Sequence, residues 1–287
     1  MNEASPTRPI LRYFGGKWNL GKWIIKEFPP HRCYVEPFGG AGSVLLQKKP
    51  VFQEVYNDMD SHMVDMFRVL RDPDAGPELI RQLQFTPFSR LEYEEAYSFE
   101  TEPDPIEKAR KIITLSFLAY STDGVTTCNK TGFRSGKVKN RYQPACHDWT
   151  KHADTLWAVL KRLKRVIIEN ISAIKCLHRY DAPETLFYLD PPYPHSTRYE
   201  KRGYRHEMTL EDHEILLDEC ISMQSMIAIS TYKNDFYAEK LSQAGWKVKQ
   251  RQTRAQAGNG KANKIATEQL WLNPKLIDKK PQLTLFN

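Results

Sequence analysis

Cys33-Tyr34-Val35-Glu36 is a short apolar run that passes straight into Pro37-Phe38-Gly39-Gly40-Ala41-Gly42, after which Ser43 to Gln47 reads as helix. A strand, a glycine turn and a helix in that order open a nucleotide-binding α/β unit. Glycines there let a backbone turn approach a cofactor closely. The pattern is neither a Walker loop nor a full dinucleotide fingerprint. A second unit follows: the strand Glu54-Val55-Tyr56 runs into Asn57-Asp58-Met59-Asp60, and Met63, Val64, Met66, Phe67 and Leu70 then recur at helical spacing. Asp58 comes about 20 residues after the turn, the placement of an acid that grips ribose hydroxyls. Asp60 is the rival for that role, or the cap of the helix that follows.

Between roughly Arg71 and Arg165 the alternation fails and helical patterns dominate, at Pro77 to Gln84, Ser89 to Tyr97, Pro105 to Ala119 and Trp149 to Leu163. This stretch reads as an insert. Within it, Asp123 to Thr127 and Lys130 to Lys137 mix turn residues with basic ones, as in an exposed hairpin or loop. Alternation resumes with strands at Val166-Ile167-Ile168, Leu186 to Leu189, Met226 to Ile229, Trp246 to Lys249 and Ile265 to Leu272, and helices near Ile171 to His178, Leu210 to Met223 and Asp235 to Gln243. A central, mostly parallel sheet is expected. The tail from Lys279 to Asn287 reads as loose.

Composition narrows the function. The 287 residues are 40% hydrophobic and 27% charged, as in a globular chain, and no apolar run approaches the roughly 18 residues of a membrane helix. Met1 to Pro9 is polar and lacks the pattern of a secretory leader, so a cytoplasmic location is expected. Cys33, Cys128, Cys146, Cys176 and Cys220 are odd in number and widely spaced, which argues for reduced thiols. Cys146, His147 and His152 lack a fourth ligand for zinc, so no metal is expected. The formal charge of +7 suits a polyanionic partner.

Tyr188-Leu189-Asp190-Pro191-Pro192-Tyr193 carries the chemistry. Successive prolines restrict the residues before them to extended conformations and fix their own φ, which makes a stiff loop. That loop presents a carboxylate and a carbonyl at the carboxyl edge of a sheet, where α/β sites lie. An exocyclic amine such as that of adenine is a poor nucleophile, because its lone pair is delocalised into the ring. Two acceptors that hold its hydrogens localise that pair: the Asp190 side chain and the Pro191 carbonyl, with Tyr193 stacking on the base. Asp190 then serves as an acceptor rather than a strong base, since an ordinary Asp pKa lies near about 3.9.

Taken in order, Tyr13-Phe14-Gly15-Gly16-Lys17, Glu36 to Gly42, Asn57-Asp58, the helical insert and Asp190-Pro191-Pro192-Tyr193 resemble the Dam-like family of DNA adenine methyltransferases. The resemblance implies a Rossmann-like S-adenosylmethionine-dependent methyltransferase core, 1–71 and 165–275, with a mainly helical target-recognition insert, 72–164, and a tail, 276–287. It implies S-adenosyl-L-methionine as cofactor, held by Tyr13, Lys17, Glu36, Pro37, Phe38, Gly39, Gly40, Gly42, Asp58 and Asp190, with Asn170 near its adenine. Catalysis falls to Asp190, Pro191, Pro192 and Tyr193, with Thr197 and Arg198 continuing the segment. The implied partner is double-stranded DNA whose adenine is flipped out of the stack; apart from the resemblance, a monomer is expected. Arg134, Lys137, Lys139 and Arg141 are expected at its phosphates, which fix register without reading sequence. The Thr131 to Lys137 stretch departs from the recognition hairpin of relatives that read GATC. Similar enzymes acting on cytosine carry Ser-Pro-Pro-Tyr and those acting on glutamine Asn-Pro-Pro-Tyr, so Asp190 favours adenine. An RNA substrate, or a catalytically inactive DNA-binding relative, is the alternative.

Overall fold

The computed structural model describes residues 6–126, 129–135, 145–194, 205–254 and 265–279. Seven strands form one sheet: β1 (Cys33–Glu36), β2 (Gln53–Asn57), β3 (Val166–Glu169), β4 (Thr185–Leu189), β5 (Met226–Tyr232), β6 (Lys247–Arg254) and β7 (Ile265–Leu272). Their order is β3-β2-β1-β4-β5-β7-β6. The first five run parallel, and β7 enters antiparallel between β5 and β6. This is a Rossmann-like α/β sheet, as expected. Because β1 pairs with β2 on one side and β4 on the other, the winding reverses there, and a crevice opens beyond the carboxyl ends of β1 and β4.

Side chains alternate across the sheet. Tyr34, Tyr56, Tyr188, Met226 and Leu270 belong to the core on one face, and their neighbours Val35, Val55, Phe187, Ile227 and Trp271 to the core on the other. All five residues of β4 are buried, as in a parallel strand covered on both faces. The second face is covered by helices Ala173–Tyr180, Leu210–Ser222 and Asp235–Gln243. Their starts are fixed by side-chain caps from Ser172, Thr209 and Asn234, which satisfy backbone N–H groups left open at a helix end.

The first face is covered by the helices between β2 and β3: Ser61–Arg71, Ala75–Phe85, Arg90–Glu95, Pro105–Leu118, Asp123–Thr126, Ala145–Thr150 and His152–Leu163. Asp60 caps the first through the His62 N–H, and Pro105 starts the fourth where its missing N–H costs nothing. These helices share one continuous core with the sheet. Arg162 ties the last of them to β2: its Nη1 and Nη2 donate to the buried Glu54 at 2.5 and 2.8 Å, and Lys48 Nζ reaches the same carboxylate at 3.0 Å.

Two segments differ from expectation. Ser43 to Gln47 is a run of turns rather than a helix. The Ser43 carbonyl, which a helix would offer to the Gln47 N–H, accepts the Gln47 side-chain Nε2 at 2.8 Å instead, and the Gln47 N–H turns to the Val44 carbonyl at 3.1 Å. Asp123 to Thr126, expected as loop, forms one helical turn, while Ala119 and Phe133 pair in an antiparallel bridge. Among the described residues no helix is long and apolar enough to cross a membrane.

Candidate active site

The glycine turn after β1 is clamped between two tyrosines. A Cβ on Gly39 would lie 2.2 Å from Tyr56 Cε2, and one on Gly40, whose φ is +47°, would lie 3.0 Å from Tyr13 Cε1. Tyr56 Oη donates to the Gly40 carbonyl at 2.7 Å, and the Gly39 N–H donates to the Asn57 carbonyl at 2.8 Å. Asn57 then staples the ends of β1, β2 and β3: its Nδ2 donates to the carbonyls of Pro37 and Ile171, and its Oδ1 accepts from the Ile171 N–H.

Asp58 and Asp60 divide their work. Asp58 Oδ2 accepts the Gly40 N–H at 2.7 Å and Oδ1 the Asp60 N–H at 2.8 Å. Burial pushes its carboxyl up to about 6 against those two donors. Asp60 caps its helix and faces Arg205 Nε at 3.6 Å. Asn170 Nδ2 donates to the Asp58 carbonyl at 2.7 Å, so it braces the acid from behind.

Asp190 ends β4 beside Lys17. The ammonium lies 3.0 Å from Asp190 Oδ1, donates to the Gly15 carbonyl at 2.7 Å and sits 4.8 Å from the centroid of the Tyr193 ring. It also lies 3.8 Å from Glu268 Oε1 on β7, the oxygen to which Tyr193 Oη donates. Tyr193 is 3% exposed and meets Tyr232 edge to face at 4.7 Å. Burial raises the Asp190 carboxyl, with Lys17 opposing. On β1, burial takes Glu36 up to about 8 despite hydrogen bonds from Tyr34 Oη and the Leu45 N–H.

These groups surround a cavity of about 470 Å³ at the switch point, within the range of small-molecule sites. Tyr13, Lys17, Glu36, Phe38, Gly39, Gly40, Asp58, Asp190 and Pro192 line it, as do Ser172 to Ile174, Arg205 to Met208, Asp212, Ile215 and Leu216. Of the residues expected around the cofactor, Pro37 and Gly42 are not in its wall; Pro37 serves Asn57, and Gly42, with φ +62°, shapes the turn. Pro191 and Tyr193, both buried, are not in the wall either. Carboxylates outnumber cations there even with Glu36 left out as largely protonated at neutral pH: Asp58, Asp60, Asp190, Glu207 and Asp212 stand against Lys17 and Arg205. Such a field suits a ligand carrying positive charge and opposes a pyrophosphate.

The basic residues expected at DNA are seen only in part. Arg134 lies after the Ala119–Phe133 bridge, partly exposed, with Nη2 3.8 Å from Asp148 Oδ2. Lys137, Lys139 and Arg141, like Thr197 and Arg198, lie outside the described residues. Cys33, Cys146, Cys176 and Cys220 are free thiols, and among the described residues no three His, Cys, Asp or Glu gather to hold a metal. Sequence reasoning missed Glu268 and the wall at Arg205 to Met208. A signal for Glu268 existed: it shares the alternation of Ala266, Leu270 and Leu272, an acid on an apolar face.

Residues 13–255 match the family described as D12 class N6 adenine-specific DNA methyltransferase. The chain belongs to this family. The D12 match takes in Lys17, the glycine turn, Asp58 and Asp190, and it ends before Glu268. Among curated relatives, the DNA adenine methylase of Salmonella typhi is 26% identical over 192 residues, 65% of each chain. That of Escherichia coli (strain K12) is 25% identical over 193 residues, again 65% of each. That of Haemophilus influenzae is 26% identical over 255 residues, 84% of this chain and 85% of that one. The chain thus spans about two thirds of the Salmonella and Escherichia relatives that it matches.

Proposed function

We propose that this chain transfers a methyl group from S-adenosyl-L-methionine to N6 of a flipped adenine in double-stranded DNA. The observation that carries the reading is Asp190 at the switch point, in the wall of the cavity that also holds the glycine turn and Asp58. Family membership supports it, as does the acidic wall, which complements a sulfonium.

The residues present fit that cofactor. The space over Gly40 that a side chain would crowd, the backbone held by Asp58 and the apolar surfaces of Phe38, Ile174 and Leu216 would hold it, with Glu36 beneath the turn. Bound there, it supplies an electrophilic methyl group. The chain does the rest. Asp190 and the Pro191 carbonyl accept the hydrogens of the amine and leave its lone pair to attack, while Lys17 fixes the Asp190 carboxylate. The positive charge that develops on N6 is met by an anion held in place beforehand, the usual large term in such sites. Stacking of Tyr193 on the target base belongs to this proposal and requires the base to uncover a ring that is 3% exposed and whose plane Glu268 and Tyr232 fix. A duplex base must leave the stack to reach the cavity. The helical stretch 72–164 is assigned to the DNA, with Arg134, Lys137, Lys139 and Arg141 on phosphates, and the core 1–71 and 165–275 to the cofactor. The enzyme acts in the cytoplasm as a monomer.

The test is incubation with methyl-labelled S-adenosylmethionine and unmethylated genomic DNA, digestion to nucleosides, and identification of the labelled base beside Asp190→Ala. Label in N6-methyladenine that vanishes in the variant is expected. Label on cytosine, label only on RNA, or none at all overturns the reading.

A further inference from the structure

Burying a carboxylate is costly unless it is paired, and Glu268 is 2% exposed on a face otherwise made of Ala266, Leu270 and Leu272. It is not in the cavity wall. Its partners are the Tyr193 hydroxyl and the Lys17 ammonium. Lys17 is also the ion-pair partner of Asp190, at 3.0 Å against 3.8 Å. Two carboxylates, buried Glu268 and the partly exposed Asp190 of the cavity wall, therefore divide one ammonium.

We propose that Glu268 is a positioning residue that acts on Asp190 through Lys17 and on the catalytic loop through Tyr193. When Glu268 is neutral, the ammonium is spent on Asp190. When Glu268 is ionised, it draws on that ammonium, and the Asp190 oxygens have more to give the amine. This rests on the methyl-transfer reading above.

The groups facing Glu268 come from every side. Lys17 comes from the N-terminal segment, Tyr188 from β4, and Asp190 and Tyr193 from the loop after it. Tyr232 on β5 and Arg251 on β6 stand opposite it in the ladder, Arg251 with its side chain exposed. Glu36 on β1 faces Asp190 in turn. Burial pushes the Glu268 carboxyl up to about 7, with Lys17 pulling it back, so its ionisation falls in the neutral range.

The experiment measures single-turnover methylation of DNA from pH 6 to 9 for wild type, Glu268→Gln and Glu268→Asp. The wild-type rate should rise as Glu268 ionises. Glu268→Gln keeps an acceptor for Tyr193 but cannot ionise, so it should hold the low-pH rate throughout and end about tenfold below wild type, less than the loss for a direct electrostatic contact. Glu268→Asp, which restores the charge, should restore the rise. Carbon-13 spectra of glutamate-labelled protein provide a readout independent of activity. One carboxyl signal titrating near neutral pH should be missing in Glu268→Gln and should titrate at higher pH in Lys17→Met. If Glu268→Gln follows the wild-type pH curve, or the signal stays put in Lys17→Met, this inference alone is overturned. A wild type that transfers no methyl to DNA overturns the functional reading and this inference together.

Discussion

Gly39→Ala tests the claim that the turn after β1 is held by packing and is not merely permissive. The added Cβ would lie 2.2 Å from Tyr56 Cε2, whereas carbon atoms rest about 3.5 Å or more apart. About 1.3 Å must be found. Tyr56 cannot supply it cheaply, because it is fully buried, stacked on Phe67 at 4.4 Å and bonded to the Gly40 carbonyl. The turn must move, taking with it the Gly40 N–H that Asp58 holds. Overpacking of this kind costs about 1–3 kcal/mol, a fall in melting temperature of about 2–12 °C for a chain of this size. Cofactor affinity should drop more than about tenfold, or 1.4 kcal/mol, by titration calorimetry with S-adenosylmethionine. Shrinking the neighbour in the same chain separates the clash from other effects. In a cycle with Tyr56→Leu, the second substitution should cost at least about 1 kcal/mol less in the Gly39→Ala background than in wild type. Costs that add within about 0.5 kcal/mol would refute the packing argument.

Glu36 supplies a pH prediction. Its carboxyl titrates near 4.5 when unfolded and at about 8 in the folded chain, so between those values the folded state holds a proton that the unfolded state has lost. Stability therefore falls as pH rises from 4.5 to 8 and levels off above, by on the order of 5 kcal/mol at most from this group. Asp58 and Glu268, raised to about 6 and about 7, slope the same way. Urea unfolding at pH 5, 6.5, 8 and 9 should show a shallower fall for Glu36→Gln than for wild type, and equal slopes would refute the assignment. At the DNA side, Arg134→Ala should weaken binding to unrelated duplexes alike and reduce the slope of log affinity against log salt by about 0.9, one phosphate contact. An unchanged slope would remove Arg134 from the interface.

The buried strands were legible because they obey a local rule, whereas the polar edge strand β6 was read only at Lys247 to Lys249 of its eight residues. Cys33 to Glu36 and Leu186 to Leu189 are continuous apolar runs closed by turn residues, as buried parallel strands must be. The Asp190 loop was legible for the same reason, since two prolines after a strand announce their own rigidity. What escaped depends on partners far along the chain. Ser43 to Gln47 has a helical composition, but the Gln47 amide, shared between the carbonyls of Trp18 and Ser43, takes the acceptor that a helix would use. Asp58 and Asp60 are equivalent as letters, and only the Gly40 N–H separates the acid that holds the turn from the acid that caps a helix.

Glu268 makes the point most sharply. Its acidity on an apolar face could be read from β7 alone, but its meaning could not, because β7 reaches the catalytic loop only by inserting antiparallel between β5 and β6. Had β6, whose sequence Lys247 to Arg254 carries no acid, taken the place beside β5, Lys17 would have had only Asp190 to serve. The antiparallel insertion brings a second carboxylate to the same ammonium. The chemistry assigned to Asp190 is thus set by strand order as much as by the four residues of its own loop.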